Sequence, residues 1–257
     1  MPKRVDLVAD IEAQAAFLEE CGAGFLIGVK PRRPAVPPPA ASGSGPLRSE
    51  RLRRALETPR SAPPASLPEF TYESFDKLVE TIRGCTRCAL GRLRTQAVPG
   101  EGSVTTELMF VGEGPGRDED LQGRPFVGRA GQLLRKIIAA MGFREDEVYI
   151  TNVVKCRPPE NRPPHRDEAE ACSPYLLQQI AYIRPKVIVT LGATPTSFFL
   201  PMYRSMTATR GHFGEFLGLP VMPTFHPSYL VRNEGNRELK RMVWGDMQKV
   251  MALLGRK

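Results

Sequence analysis

Two kinds of apolar pattern alternate along this chain, short continuous runs and longer runs at helical spacing. Leu108 to Val111 is a short apolar run closed by Gly112, Gly114, Pro115 and Gly116. A run of that length ended by glycine and proline predicts a buried strand entering a loop. After a second glycine-rich piece, Gly128 to Gly131, Leu133, Leu134, Ile137 and Ile138 recur as on one helix face. Glu147 to Val154 predicts a second strand. Lys186 to Leu191 predicts a third, mostly β-branched, and Leu219 to Thr224 a fourth. Gly211 to Phe216 reads as a short strand or hairpin arm. Helices are predicted from Phe75 to a C′ glycine at Gly84, and over 167–183, 193–200 and 236–254. Strands alternating with helices imply a parallel sheet covered on both faces. The expected fold class is α/β, a three-layer αβα arrangement around a central, mainly parallel four-stranded sheet.

Before Phe70 the pattern differs. Leu7, Ile11, Ala15 and Leu18 space out an amphipathic helix, which needs something to pack against. From Pro31 to Pro68 proline, alanine, serine and glycine dominate, the composition of a disordered linker. The expected division is a helical arm over 1–30, a flexible Pro-rich linker over 31–69 and one globular domain over 70–257. Charge narrows the class of partner. Thirty-six Lys and Arg against 28 Asp and Glu give a net charge of +8, which favours a polyanion such as nucleic acid. No apolar run is long enough to span a bilayer, and Asp6 and Asp10 interrupt any secretory core, so a cytosolic protein is expected. In that setting five cysteines read as metal ligands or free thiols before disulfides.

Two constellations carry chemistry. Cys85 and Cys88 form a C-x-x-C pair after a helix, Cys156 ends a strand and Cys172 lies in a later helix, while Cys21 stands apart in the arm. Four thiolates can hold zinc or a four-iron cluster, and spacing does not separate the two. A redox dithiol would use only two of the four. The second constellation is at strand ends. Glu113 follows the first strand, Asn152 lies near the end of the second and His226 follows the fourth. In a parallel sheet these ends share one edge and face one crevice. An Asn amide both donates and accepts, so it can read the edge of a pyrimidine. A His can donate to an oxygen gaining negative charge. A carboxylate can orient water or stabilise a cationic sugar, and Phe126 offers a stacking face. Singly, such residues are commonly caps or surface groups; their joint placement carries the reading. The loop lacks the Lys and Ser/Thr of a P-loop, and Arg117 breaks a dinucleotide fingerprint.

GEGPGRDED at 112–120, GRPFVGRAGQLL at 123–134, TNVVKCRPPENRPP at 151–164 and HPSYL at 226–230 together resemble the family 4 uracil-DNA glycosylases. The resemblance runs from about Phe70 to Leu254. It implies a monofunctional hydrolase of base-excision DNA repair, with uracil-containing DNA as substrate and free uracil as product. It implies a structural [4Fe-4S] cluster on Cys85, Cys88, Cys156 and Cys172. Glu113 and His226 would be catalytic. Gly112, Gly114, Phe126 and Asn152 would bind the flipped base, with Glu119 excluding the thymine methyl. Lys155, Arg157 and Arg162 would meet phosphates, Ser228 would sit at the DNA, and Leu230 would wedge into the gap left by the base. It further implies a monomer in a bacterial or archaeal cytoplasm, associated with the nucleoid through DNA. The chain lacks the KRRIH-type insertion whose His bonds covalently to the sugar in some relatives; Asn161 falls near that position by spacing. Turnover is therefore expected. The competing expectations are a non-catalytic iron–sulfur DNA-binding module, such as a polymerase-associated partner, and a small-molecule redox protein.

Overall fold

The computed structural model describes residues 66–200 and 202–256 of the 257. The expected N-terminal arm, nearly all of the linker and Cys21 lie outside the described residues. The strands are β1 (Glu101–Gly102), β2 (Leu108–Gly112), β3 (Tyr149–Asn152), β4 (Val187–Leu191), β5 (Gly214–Phe216) and β6 (Leu219–Thr224). They form one six-stranded sheet in the order β1-β3-β2-β4-β6-β5. The inner four are parallel and the two edge strands antiparallel. The parallel core is the expected one. The edge strands enlarge it, and β1 escapes sequence reading because two residues cannot show a period.

Alternation along the strands sorts side chains between two cores. Leu108 and Phe110 of β2, Val187, Val189 and Leu191 of β4 and Met222 of β6 enter one. Met109, Val111, Ile188 and Val221 enter the other. Each such aliphatic or aromatic side chain removed from water contributes about 1.5–3 kcal/mol before entropy is counted. Helices α1 (Phe75–Arg83), α2 (Leu90–Leu93), α3 (Arg117–Gln122), α4 (Arg129–Ala140), α5 (Arg166–Ile183), α6 (Ala193–Phe199), α7 (Met206–Thr209), α8 (Pro227–Arg232) and α9 (Arg237–Leu253) complete the chain. The first core takes residues of α4, α8 and α9, and the second takes residues of α1, α5 and α6. The layers are therefore α, β and α.

Local chemistry explains where elements differ from expectation. Gly84 caps α1 at φ −84°, within the right-handed region, so its freedom at positive φ is not used. The acidic loop after β2 contains α3, whose capping box joins Glu119 to the Gly116 N–H. Pro227 starts α8 at a position where a helix N–H has no partner to lose. Pro174 sits inside α5 and cannot donate to the Glu170 carbonyl; Ser173 Oγ donates there instead, at 3.0 Å.

Candidate active site and cysteine centre

The loops leaving β2 and β3 are zipped together. Val153 N donates to Gly112 O at 2.9 Å and Val154 N to Glu113 O at 3.1 Å. In the register Gly112 stands beside Asn152. A side chain at Gly112 would meet Asn152 Oδ1 at 2.3 Å and the Phe126 ring at 2.6 Å. Glycine is required there because an amide and an aromatic face close over the strand end. Asn152 is 2% exposed, and its Oδ1 has no hydrogen-bond partner. A buried acceptor without a donor costs about 1–3 kcal/mol, so the site stores a demand for an N–H.

Phe126 is held in an unusual backbone state, φ 52°. Its carbonyl accepts from the Arg135 guanidinium, and Gly131 lies so close that any Cβ would stand 1.6 Å from the same oxygen. Glu119 braces the loop from the other side. Its carboxylate accepts from Gly116 N at 3.1 Å, Val127 N at 2.9 Å and Gly128 N at 3.0 Å. The Phe126 ring stacks near the His226 ring, with centroids 5.8 Å apart and planes 29° apart.

His226 is the N-cap of α8. Its Nδ1 accepts from Ser228 N at 3.0 Å and lies 2.8 Å from Ser228 Oγ. An Nδ1 that accepts from an amide carries no proton, which leaves the ring proton on Nε2. Burial, aided by the charge of Arg232, pulls the His226 pKa down to about 4. The ring is thus a neutral donor at physiological pH. Glu113 Oε2 accepts from Thr194 Oγ1 of α6. One edge of the parallel core therefore presents a carboxylate, an unpaired amide oxygen, an aromatic face and a neutral imidazole N–H.

A sequence model of the uracil DNA glycosylase superfamily matches residues 99–248. The type-4 uracil-DNA glycosylase of Thermotoga maritima is 50% identical over 188 residues, covering 72% of this chain and 97% of the relative. Those of Sulfurisphaera tokodaii and Saccharolobus solfataricus are 44% and 40% identical, over 70% and 72% of this chain and 85% and 88% of theirs. The chain belongs to the uracil-DNA glycosylase superfamily. The activity that goes with this membership is DNA repair by hydrolysis of an N-glycosyl bond.

The glycosylase also gathers its four described cysteines. Cys85, Cys88, Cys156 and Cys172 are free thiols lining one depression with Ile82, Gly91, Lys155 and Tyr175. N–H groups point at three of the sulfurs. Arg94 donates to Cys156 Sγ at 2.9 Å, Lys155 N to Cys172 Sγ at 3.3 Å and Arg87 N to Cys85 Sγ at 3.5 Å. Burial pushes the Cys172 thiol up to about 11, against the pull of Lys155. Among the described residues no three Cys, His, Asp or Glu side chains converge to hold a single metal ion.

Two of the expected phosphate contacts need correction. Lys155 is 1% exposed. Its ammonium donates to Thr151 Oγ1 at 2.6 Å, Asn152 O at 2.7 Å and Gln179 Oε1 at 2.7 Å, so it is an internal brace with nothing left for DNA. Arg162 pairs with the buried Glu168 through two bonds at 2.7 and 2.8 Å, which satisfies its charge within the protein. Arg157 Nε donates to Asn161 Oδ1 at 2.8 Å at the surface. Leu230 is 2% exposed and belongs to the core, so it cannot serve as a wedge from this position. Its neighbour Tyr229 is 40% exposed on the same short helix. Ser228 is tied to His226, and Arg232 donates to its hydroxyl at 3.3 Å. Arg135 and Arg94 carried no motif that sequence reading could single out, and Gly131 stood in a glycine-rich motif whose role was not legible, because what these residues do is make contacts across the fold.

Proposed function

We propose that this uracil-DNA glycosylase binds uracil, flipped from DNA, between the Phe126 ring and the strand ends that carry Asn152 and His226. The buried, unpartnered Oδ1 of Asn152 carries this reading. It lies against the Phe126 face and faces the demand of a base whose N3–H must donate. The Asn152 amide group would accept from N3–H and donate to O4. Cytosine presents the opposite pattern at those two positions, so the same amide rejects it. Glu119, immobilised by three amides, offers a rigid wall against the C5 methyl of thymine. The Gly112 and Gly114 backbone completes the pocket wall.

Cleavage breaks the C1′–N1 bond, and its electron pair leaves with the base. Negative charge grows on O2 while the sugar becomes cationic. His226 donates its Nε2 proton as a hydrogen bond to O2. A neutral donor suits this step because it stabilises the anion without having to transfer a proton. Glu113 stabilises the cationic sugar and orients a water whose oxygen bonds to C1′. The proton released by that water passes to solvent or to the departing base. An abasic site and free uracil result. No His lies at the position of the covalent variant. Asn161 accepts from Arg157, and the His165 N–H donates to Glu168 Oε2 at 2.7 Å at the start of α5. Turnover is the expected behaviour, and no adduct should survive denaturing electrophoresis.

The four cysteines would hold a [4Fe-4S] cluster. All four line one depression, and Arg94 and two backbone N–H groups aim at three of the sulfurs, an environment that suits thiolate ligands. When bound, the cluster would supply cross-links between the α1–α2 connection, the β3–α5 connection and α5. We further infer a nucleoid-associated monomer whose catalytic domain lies within residues 70–257. Among the described residues no helix is long and apolar enough to cross a membrane.

The decisive experiment is excision from an oligonucleotide with one uracil, beside a thymine control, with alkali to reveal abasic sites. Cleavage only at uracil is expected. Asn152→Ala should slow it by about 10²- to 10³-fold. An unchanged rate in that variant would remove Asn152 from the pocket.

A further inference from the structure

The turn between β4 and α6 has no role in the chemistry above, yet it lies between the two catalytic groups. In the sheet β4 stands between β2 and β6. The chain leaving β4 therefore passes between the loop that carries Glu113 and the loop that carries His226. It touches both. Gly192, at φ 94°, packs so closely on His226 that a Cβ would stand 3.0 Å from the His226 Cβ. Gly192 N donates to Thr224 O, at the end of β6, at 2.9 Å. Two residues on, Thr194 Oγ1 donates to Glu113 Oε2, a bond between groups 81 residues apart in sequence.

We propose that Thr194 is the positioning residue for the catalytic carboxylate. Glu113 has three rotatable side-chain bonds and stands half-buried in a glycine-rich loop. Tying Oε2 to a hydroxyl in the first turn of α6 selects one rotamer and leaves Oε1 to face C1′ or the attacking water. Because Gly192 of the same turn rests on His226, the carboxylate and the imidazole share one reference element. Their separation is then set by a two-residue stretch of backbone. Displacement of a reacting group by about 1 Å is enough to cost large factors in rate. The proposal rests on the reading of Glu113 as catalytic.

The test is single-turnover excision at saturating enzyme, together with Kd for a uracil-containing duplex, for the full chain. The variants are Thr194→Val, Thr194→Ser, Glu113→Gln and the double variant Glu113→Gln/Thr194→Val. Thr194→Val keeps the shape and removes the hydroxyl. It should lower the maximal rate by about 10- to 100-fold with Kd within about twofold of wild type. Thr194→Ser should recover most of the rate. The double variant should be no slower than Glu113→Gln alone. Thr194→Val at the wild-type rate beside an inactive Glu113→Gln overturns the Thr194 assignment and leaves Glu113 standing. Glu113→Gln at the wild-type rate overturns the underlying reading itself. A loss that Thr194→Ser does not restore, or that Kd follows in parallel, also overturns the proposal, since it marks a structural role.

Discussion

His226 works as a neutral ring, and the pH dependence of the protein should show it. Unfolded, the imidazole takes its proton near pH 6.5; folded, it does so only near 4. Between these values the unfolded chain holds the extra proton. The ring's contribution to stability is therefore complete above about pH 6.5 and is lost as pH falls toward 4. Urea midpoints measured at about pH 5 and about pH 7.5 should differ, and the difference should shrink in His226→Gln. The neighbours fix the tautomer as firmly as burial fixes the charge, since Ser228 N occupies Nδ1. Lys155 shows the reverse use of a titratable side chain. Its amino group is enclosed, burial pulls its pKa down to about 7, and it donates to three acceptors. Lys155→Met should cost at least ~1–3 kcal/mol, the cost of one orphaned buried acceptor. Chemical denaturation would measure this directly. A variant as stable as wild type would show that water replaces the ammonium.

Elements place these residues through backbone contacts as much as through side chains. The N-terminus of α4 holds Phe126 in its positive-φ state, because Gly131 lets the helix approach the Phe126 carbonyl. Gly131→Ala puts a methyl group into that oxygen and must push the two segments apart. The expected result is about 1–3 kcal/mol of lost stability from overpacking, with a loss of uracil excision larger than the fall in Tm would explain. Calorimetry beside single-turnover rates would separate the two effects. Helix α5 ties the two sites together. It carries Cys172 at the cysteine depression, and Gln179 two turns later at the brace beneath Asn152. A disturbance at the cysteines thus has a short physical route to the base pocket, through Lys155, whose backbone N–H meets Cys172 Sγ and whose ammonium meets Asn152 O.

At the scale of the whole molecule, the proposed catalytic groups and the four clustered cysteines lie beyond residue 68. The described chain docks by Glu69 and Thr71, whose backbone groups bond Gln178 of α5 at 2.9 Å each. Removing residues 1–68 leaves these contacts in place. That truncation should keep the single-turnover rate on a uracil oligonucleotide within about twofold of the full chain. A large fall would assign the arm a part in catalysis.

The sequence alone determined the parallel core, since the apolar-rich runs at 108–111, 186–191 and 219–224 alternate with helical patterns, and that alternation implies a parallel sheet covered on both faces. It also placed the candidate chemistry at the strand ends. Glu113, Asn152, Phe126 and His226 stand beside glycines and prolines that mark where strands stop, and topology does the rest. Residue type did not determine which charges are free. Lys155 and Arg162 look the same in sequence as phosphate-binding residues, but partners brought in by α5 consume them. Burial likewise removed Leu230 from the surface, a result of helix phase on α8 that a proline-led segment hid from pattern reading. Only tertiary structure could supply Thr194, Gly192 and Arg135 to the site, because each acts on a residue from another part of the fold. Periodicity reports which face of an element is apolar. Which polar atoms meet across that face is decided when the elements pack.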